Sequence, residues 1–339
     1  MVCESAALPC TVAPGAPGGG RRMRPGLTVV LALCVAGCAG TEGPSDADCL
    51  AAALQQPALR NGAVAWTRAD GSTAVTAANW RGWWRLLRDQ AYPAASLTKP
   101  LVAHAIRGQV ERGALRLEAK AADLLPGLAW SGPGTQDITL QHLLQHTAGL
   151  GRRDGRDPLW HHGGTSDGVP DCEAAAQYIV TQPTLRTPGV QAEYSNVGYC
   201  LLGLLLRQQA GAGELELPAA LLQALHAPLG AAGGWRATLP EMHAALARTL
   251  PLRHLEAPPQ PLPDGSWYAW SWRYWPKPAA GAPWTHTGRL PGFLAVALTD
   301  GRSRLLVAHF DGDPADYHAA SQRFGRQAWG CLQSAGGGG

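Results

Sequence analysis

Lysine is nearly missing from this chain. Of 28 basic residues only three are lysines, Lys99, Lys120 and Lys277, so a lysine inside a motif is less easily an accident. Charge as a whole is sparse, 16% of 339 residues, where an average soluble domain carries about 25%. Residues 1–37 hold Arg21, Arg22, Arg24 and Glu4, and without them the formal net charge falls from +3 to +1. No basic stripe asks for nucleic acid, so no nucleic-acid partner is expected. Long apolar runs are absent too: Leu27 to Val35 is too short for a bilayer, which needs about 20 residues. No two cysteines form a Cys-x-x-Cys pair, which argues against a zinc or redox site. No internal repeat is found. What is present is a 46% hydrophobic fraction, enough for a sizeable core, which excludes a disordered tail, a collagen or a coiled coil.

Residues 21–38 combine a basic start, a short apolar run and small residues, the pattern of a secretory leader. Met23 is a more natural start than Met1, because residues 1–22 are rich in proline and glycine. Val35-Ala36-Gly37-Cys38 resembles the bacterial lipobox, whose cysteine becomes the lipid-modified first residue of the mature protein. The expectation is therefore a leader over 1–37, a polar tether over 38–48, a folded domain over 49–332 and a flexible tail over 333–339. The protein would sit in the bacterial envelope, in the periplasm, held to a membrane by a lipid on Cys38. Cys49, Cys172, Cys200 and Cys331 remain in the exported part, an even number in an oxidising compartment. Three pairings, or four free thiols, are compatible with their spacing.

Asn61 to Trp66 and Ser72 to Ala77 read as strands around Asp70-Gly71. Leu101, Val102, Ala105, Ile106, Val110 and Leu115 fall at helical spacing within 97–117. A second helix is read over Ile138 to Gln145, ending by Gly149, and a buried one over Val197 to Leu206. Phe293 to Thr299 and Ser303 to Phe310 read as strands around Asp300-Gly301. Strands at both ends with helices between them give an α/β (α+β) class with the termini meeting in one sheet.

Ser96-Leu97-Thr98-Lys99 puts a hydroxyl and an ammonium three residues apart on one face of a first helical turn. A serine is a poor nucleophile at neutral pH unless a neighbouring amine can take its proton. Lysine can do so once its pKa is depressed; arginine cannot. Tyr194-Ser195-Asn196 lies between a Pro-Gly turn and a helix, where its phenol is a second proton carrier. His286-Thr287-Gly288 precedes a strand, and Gly288 would let another backbone approach.

These three motifs, in this order, resemble the signatures of the penicillin-binding protein and class C β-lactamase-like serine hydrolases. The resemblance extends to Val110 to Leu117, Ile138 to Leu150, Glu193 to Tyr199 and His286 to Phe293, and spans about residues 50–332. It implies an antiparallel sheet flanked by helices. It also implies Ser96 as the acylated nucleophile, Lys99 and Tyr194 as coupled base and acid, and Asn196 as a substrate contact. The N–H groups of Ser96 and Arg289 would form the oxyanion hole, with His286, Thr287 and Gly288 along the strand beside it. The family's first and last helices lie side by side, which implies bridges Cys49–Cys331 and Cys172–Cys200.

Three departures bear on substrate. Gly233-Gly234 follows Ala227-Pro228-Leu229-Gly230 almost at once, so the all-helical half is expected to be reduced and the cleft more open. His286 stands where true β-lactamases carry lysine, removing a fixed charge for a substrate carboxylate; Arg289 could supply one from the same strand face as Thr287, or turn to solvent. Pro100 lacks the N–H that would bond the Ser96 carbonyl, so the turn should be distorted. His161-His162 with Asp154 and Asp157 is read as loop surface rather than a metal site, His142 and His146 as capping or packing residues, and the Trp267, Trp270, Trp272 and Trp275 cluster as core with one member flanking the cleft. No metal or other cofactor is expected. The reading is an exported serine hydrolase acting on an ester or amide in a small-molecule or peptidoglycan-like substrate. Alternatives are a D-Ala-D-Ala carboxypeptidase or β-lactamase, and a catalytically silent envelope binding protein.

Overall fold

The computed structural model describes residues 45–162, 168–215 and 217–334. The leader, Cys38 and the tether as far as residue 44 lie outside the described residues. Helix α1 (Asp46–Ala53) begins inside the expected tether, because the Ser45 hydroxyl caps it by accepting from the Asp48 N–H.

Strands β1 (Arg60–Thr67) and β2 (Thr73–Ala77) form the expected hairpin, and α2 (Trp80–Leu87) follows at once. A short β3 (Tyr92–Pro93) leads into the turn that carries Ser96 and into α3 (Thr98–Glu111). The helical part continues through α4 (Ala121–Leu124), α5 (Leu140–Leu144), α6 (Cys172–Ile179), α7 (Asn196–Gly211), α8 (Ala219–Leu225) and α9 (Gly230–Gly233). The chain returns by β4 (Arg236–Ala237), which pairs with β3, and by α10 (Leu239–Ala247). It then enters β5 (Trp267–Ala269), β6 (Trp272–Tyr274), β7 (Trp284–Leu290), β8 (Phe293–Thr299) and β9 (Leu305–Asp311), and ends in α11 (Tyr317–Ser334). The expected tail thus begins inside a helix, and residues 335–339 lie outside the described set.

The main sheet is antiparallel with order β2-β1-β9-β8-β7-β6-β5, so the two ends of the chain meet at β1 and β9. Its central strands read as unbroken apolar runs because both faces are covered. Along β8, Phe293, Ala295 and Ala297 enter the core beneath the helical part, while Leu294, Val296 and Leu298 enter the core beneath α1 and α11. The same alternation sends Ala63 and Ala65 of β1 one way and Val64 and Trp66 the other. Cys49 of α1 is bridged to Cys331 of α11, and Cys172 of α6 to Cys200 of α7.

The compressed 227–234 stretch has a structural consequence. Helix α9 is a single turn that packs directly against the Ser96 turn, with Gly233 against the Ala95 backbone. Among the described residues no further helix stands between them.

Candidate active site

Ser96 sits in a single 3-10 turn, Ala95 to Leu97, ahead of α3. This is the distortion Pro100 requires, since an α-helical bond from residue 100 to the Ser96 carbonyl cannot form. Ala95 adopts φ +48°, a left-handed conformation that alanine enters only under constraint. The constraint is visible: the Ala94 N–H donates to the Trp235 carbonyl, and the Thr98 hydroxyl donates to the Ala95 carbonyl.

From this turn Lys99 projects into a fully buried position. Its Nζ donates to Asn196 Oδ1 at 2.8 Å and to the Ala232 carbonyl at 2.6 Å, and lies 3.1 Å from Ser96 Oγ. The Tyr194 hydroxyl donates to the same Ser96 Oγ at 2.8 Å. Burial pushes the Lys99 amine down to about 7, partly offset by the negative charge of Asp157. Burial also holds the Tyr194 phenol well above its ordinary value, with a bond to Ser96 pulling the other way. The two groups therefore divide the proton work: the amine can be neutral near pH 7 while the phenol keeps its proton.

Asn196 Nδ2 donates to Asp157 at 2.7 Å. Asp157, expected on the loop surface, is instead part of the site, reached through the fold rather than through a sequence motif; His161 lines the same cleft and His162 is buried. Among the described residues no group of three His, Cys, Asp or Glu is placed to hold a metal.

Strand β7 forms the other wall. Strand β6 pairs with it only at Trp284 and Thr285, leaving the edge from His286 onward open toward Ser96. A Cβ at Gly288 would stand 2.5 Å from the Ala94 carbonyl oxygen and 3.2 Å from the Ser96 N, so only glycine lets the strand and the Ser96 N–H come this close. His286 is buried, with Nε2 3.0 Å from Ser271 Oγ. Burial, with the nearby Lys99 charge, pushes its pKa down to about 3, leaving it neutral. Ser271 is delivered by the β5–β6 turn, where Trp270 and Ser271 adopt φ +51° and +75°.

His146 is the packing residue expected, but with a defined task. It is buried at φ +58°, its Nδ1 accepts from the Ser195 N–H at 3.1 Å, and its ring lies against Tyr194, Tyr199 and Tyr268. It thereby fixes the loop that presents Tyr194. His142 makes a capping box with Thr139 at the start of α5.

A cavity of about 1020 Å³ opens over Ser96, lined by Tyr194, Asn196, Thr287, Tyr268, Trp275 and Trp160 among others. Trp275 is the member of its cluster that flanks the cleft; its Nε1 donates to Thr285 Oγ1. Arg289 lines the same cavity with Thr287, yet its charge is already engaged. Its Nε and Nη2 donate to Asp313 Oδ1 at 3.1 and 2.6 Å, and the guanidinium lies over the Tyr317 ring. Of the two orientations open to Arg289, the side chain lines the cavity but is paired with Asp313. Arg152 and Arg273, which the motifs did not reveal, also line the cavity.

Residues 50–217, which carry Ser96, Lys99, Tyr194 and Asn196, match the family model "Beta-lactamase". Esterase EstB of Burkholderia gladioli is 29% identical over 221 residues, 61% of this chain and 53% of that protein. A probable fimbrial assembly protein FimD of Dichelobacter nodosus is 36% identical over 115 residues, 34% of this chain and 27% of that protein. The chain thus spans between about a quarter and a half of the length of these curated relatives. Among solved structures, the D-amino acid amidase of Ochrobactrum anthropi SV3 aligns with a TM-score of 0.61 at 14% identity, over 85% of this chain and 98% of that one. At that identity the likeness concerns the fold.

Proposed function

We propose that the chain, whose residues 50–217 match the "Beta-lactamase" family model, cleaves an ester or amide through an acyl-enzyme on Ser96. The observation that carries this reading is the arrangement around Lys99 Nζ. Two of its three neighbours, Asn196 Oδ1 and the Ala232 carbonyl, can only accept hydrogen bonds. A neutral amine spends its two N–H groups on them, and its lone pair then faces the Ser96 hydroxyl. With a pKa of about 7, that neutral form is populated at ordinary pH.

Ser96 Oγ attacks the substrate carbonyl carbon and its proton passes to Lys99 Nζ. The carbonyl oxygen becomes an oxyanion held by the Ser96 and Arg289 N–H groups. When the tetrahedral intermediate collapses, the carbon–heteroatom bond breaks and Tyr194 gives its proton to the departing alcohol or amine. The proton that Lys99 took from Ser96 then restores the Tyr194 phenol, which leaves the amine neutral again for the second half of the reaction. Water repeats the sequence on the acyl-enzyme, releasing the acid and restoring Ser96. Esterase EstB, named for ester substrates, supports the ester side of this range.

The β-lactamase alternative calls for a fixed positive charge for a carboxylate on β7. Neutral His286 and the Arg289–Asp313 pair argue against one. The reading includes export with a lipid on Cys38; the two disulfides suit an oxidising compartment.

Intact-mass spectrometry after a fluorophosphonate, and separately after a penicillin, tests the proposal. One fluorophosphonate adduct is expected, and Ser96→Ala should lose both the adduct and ester turnover while melting cooperatively. Ester turnover by Ser96→Ala at the parent rate would remove the mechanism. A lasting penicilloyl adduct would move the assignment to the penicillin-binding branch.

A further inference from the structure

Helix α2 carries Trp80, Trp83, Trp84 and Leu87 at spacings of three and four residues, which places them on one helical face. That face would ordinarily be buried. Here it points outward: the four side chains are 70, 41, 50 and 79% exposed. The helix is fixed in this orientation by its opposite side. Gly82 is its one buried residue, and a Cβ there would stand 2.8 Å from Ala77 Cβ and 3.0 Å from the Gly62 carbonyl. Arg85 adds an ion pair with Asp311 of β9 at 2.7 Å. The helix is therefore clamped with its aromatic stripe facing away from the domain.

We propose that this stripe docks the domain on an anionic phospholipid surface. Charge complementarity identifies the occupant. No carboxylate lies between Trp80 and Arg88, and the guanidinium groups of Arg81 and Arg88 lie over the rings of Trp80 and Trp84, 5.4 and 5.1 Å from their centroids. Each pair presents a cation beside an indole, a combination suited to a headgroup phosphate above and acyl chains below. Tryptophan favours this boundary because its ring is apolar and its N–H is wet. A second copy of the chain is the poorer fit. A stable protein interface needs about 800 Å² from each partner, some 20–30 residues, whereas this ridge offers four apolar side chains on one short helix. The docking rests on this surface alone and requires neither the hydrolase reading nor a lipid on Cys38.

The test is flotation of the full chain carrying Cys38→Ser, so that no attached lipid contributes, with vesicles of phosphatidylcholine alone or mixed equally with phosphatidylglycerol. The triple variant Trp80→Ser, Trp83→Ser, Trp84→Ser should lose about tenfold or more of its partitioning onto the mixed vesicles, with its cooperative thermal unfolding retained as a check on folding. Arg81→Gln with Arg88→Gln should weaken binding to mixed vesicles and leave the small binding to pure phosphatidylcholine as it was. Equal partitioning of parent and triple variant would overturn the proposal. So would a parent that sediments as a dimer which the triple variant dissolves, without a difference on vesicles.

Discussion

Asn196 is tied to Asp157 by a 2.7 Å bond from its amide nitrogen, and that bond decides which end of the amide Lys99 meets. A carboxylate can only accept, so Nδ2 must face Asp157 and Oδ1 must face the amine. Asp157 also raises the Lys99 pKa by its charge, against the larger effect of burial. Asp157→Asn removes that charge, so the lower limb of the pH profile of kcat/KM should move to lower pH. The value on the plateau should fall about tenfold, as the amide loses its fixed orientation. A profile that drops without moving would leave Asp157 a packing residue.

The second prediction concerns the base itself. On the proposed mechanism neutral Lys99 is the active form, so kcat/KM should rise through pH 7, with an apparent pKa that belongs to the Ser96, Lys99 and Tyr194 cluster together. Lys99→Arg keeps the charge but cannot release the proton, and should cost about a thousandfold or more. Stability should move with pH in a defined direction. The folded amine loses its proton near 7, the unfolded one near 10.5, so between those values the unfolded chain binds more protons and stability rises with pH. Below pH 7 the burial cost is fully present. Lys99→Met should therefore raise the melting temperature relative to the parent more at pH 6 than at pH 9, measured by calorimetry.

Gly288→Ala tests the contact between β7 and the Ser96 turn. The added methyl would stand 2.5 Å from the Ala94 carbonyl oxygen and must push the strand away from the Ser96 N–H. Overpacking of this kind costs about 1–3 kcal/mol, whereas displacing an oxyanion donor by a fraction of an ångström should lower kcat/KM about a hundredfold. A variant that is less stable but fully active would show that the oxyanion site does not depend on this spacing.

Arg289 leads to a paired prediction. Because Asp313 holds its guanidinium, Arg289→Ala should change KM for neutral and carboxylate-bearing esters alike by less than about twofold, the range for an exposed ion pair. Asp313→Asn frees the cation and should lower KM for carboxylate-bearing donors about tenfold. Steady-state kinetics on two esters differing only in that carboxylate decides it, and a tenfold KM rise in Arg289→Ala would mean that substrate displaces Asp313.

What the sequence made legible was what is local or strongly patterned. Ser96 and Lys99 share a helical turn, so their meeting needs nothing beyond spacing. The β8–β9 hairpin announces itself by two apolar runs around Asp300, whose carboxylate accepts from the N–H groups of residues 302, 303 and 304. Helix α11 is implied by the family resemblance but not by periodicity, because much of its buried face is small, with Ala320 and Ala328 beside Phe324, which gives a faint 3.6-residue period. Asp157 carries no motif at all. It belongs to the site only because the loop around it comes back over α7. Helix α2 escaped because its apolar stripe, though regular, does not serve the core.

The bridge between Cys49 and Cys331 joins the first helix to the last, and thereby makes the intervening chain a covalent ring. Such a ring has no free end from which the sheet can be peeled. Tension arriving along the residues before Cys49 crosses the sulfurs into α11, and the hydrogen bonds between β1 and β9 are spared the load. Ser96 thus lies within a mechanically closed circuit, and a pull applied outside Cys49 and Cys331 is carried by the bridge.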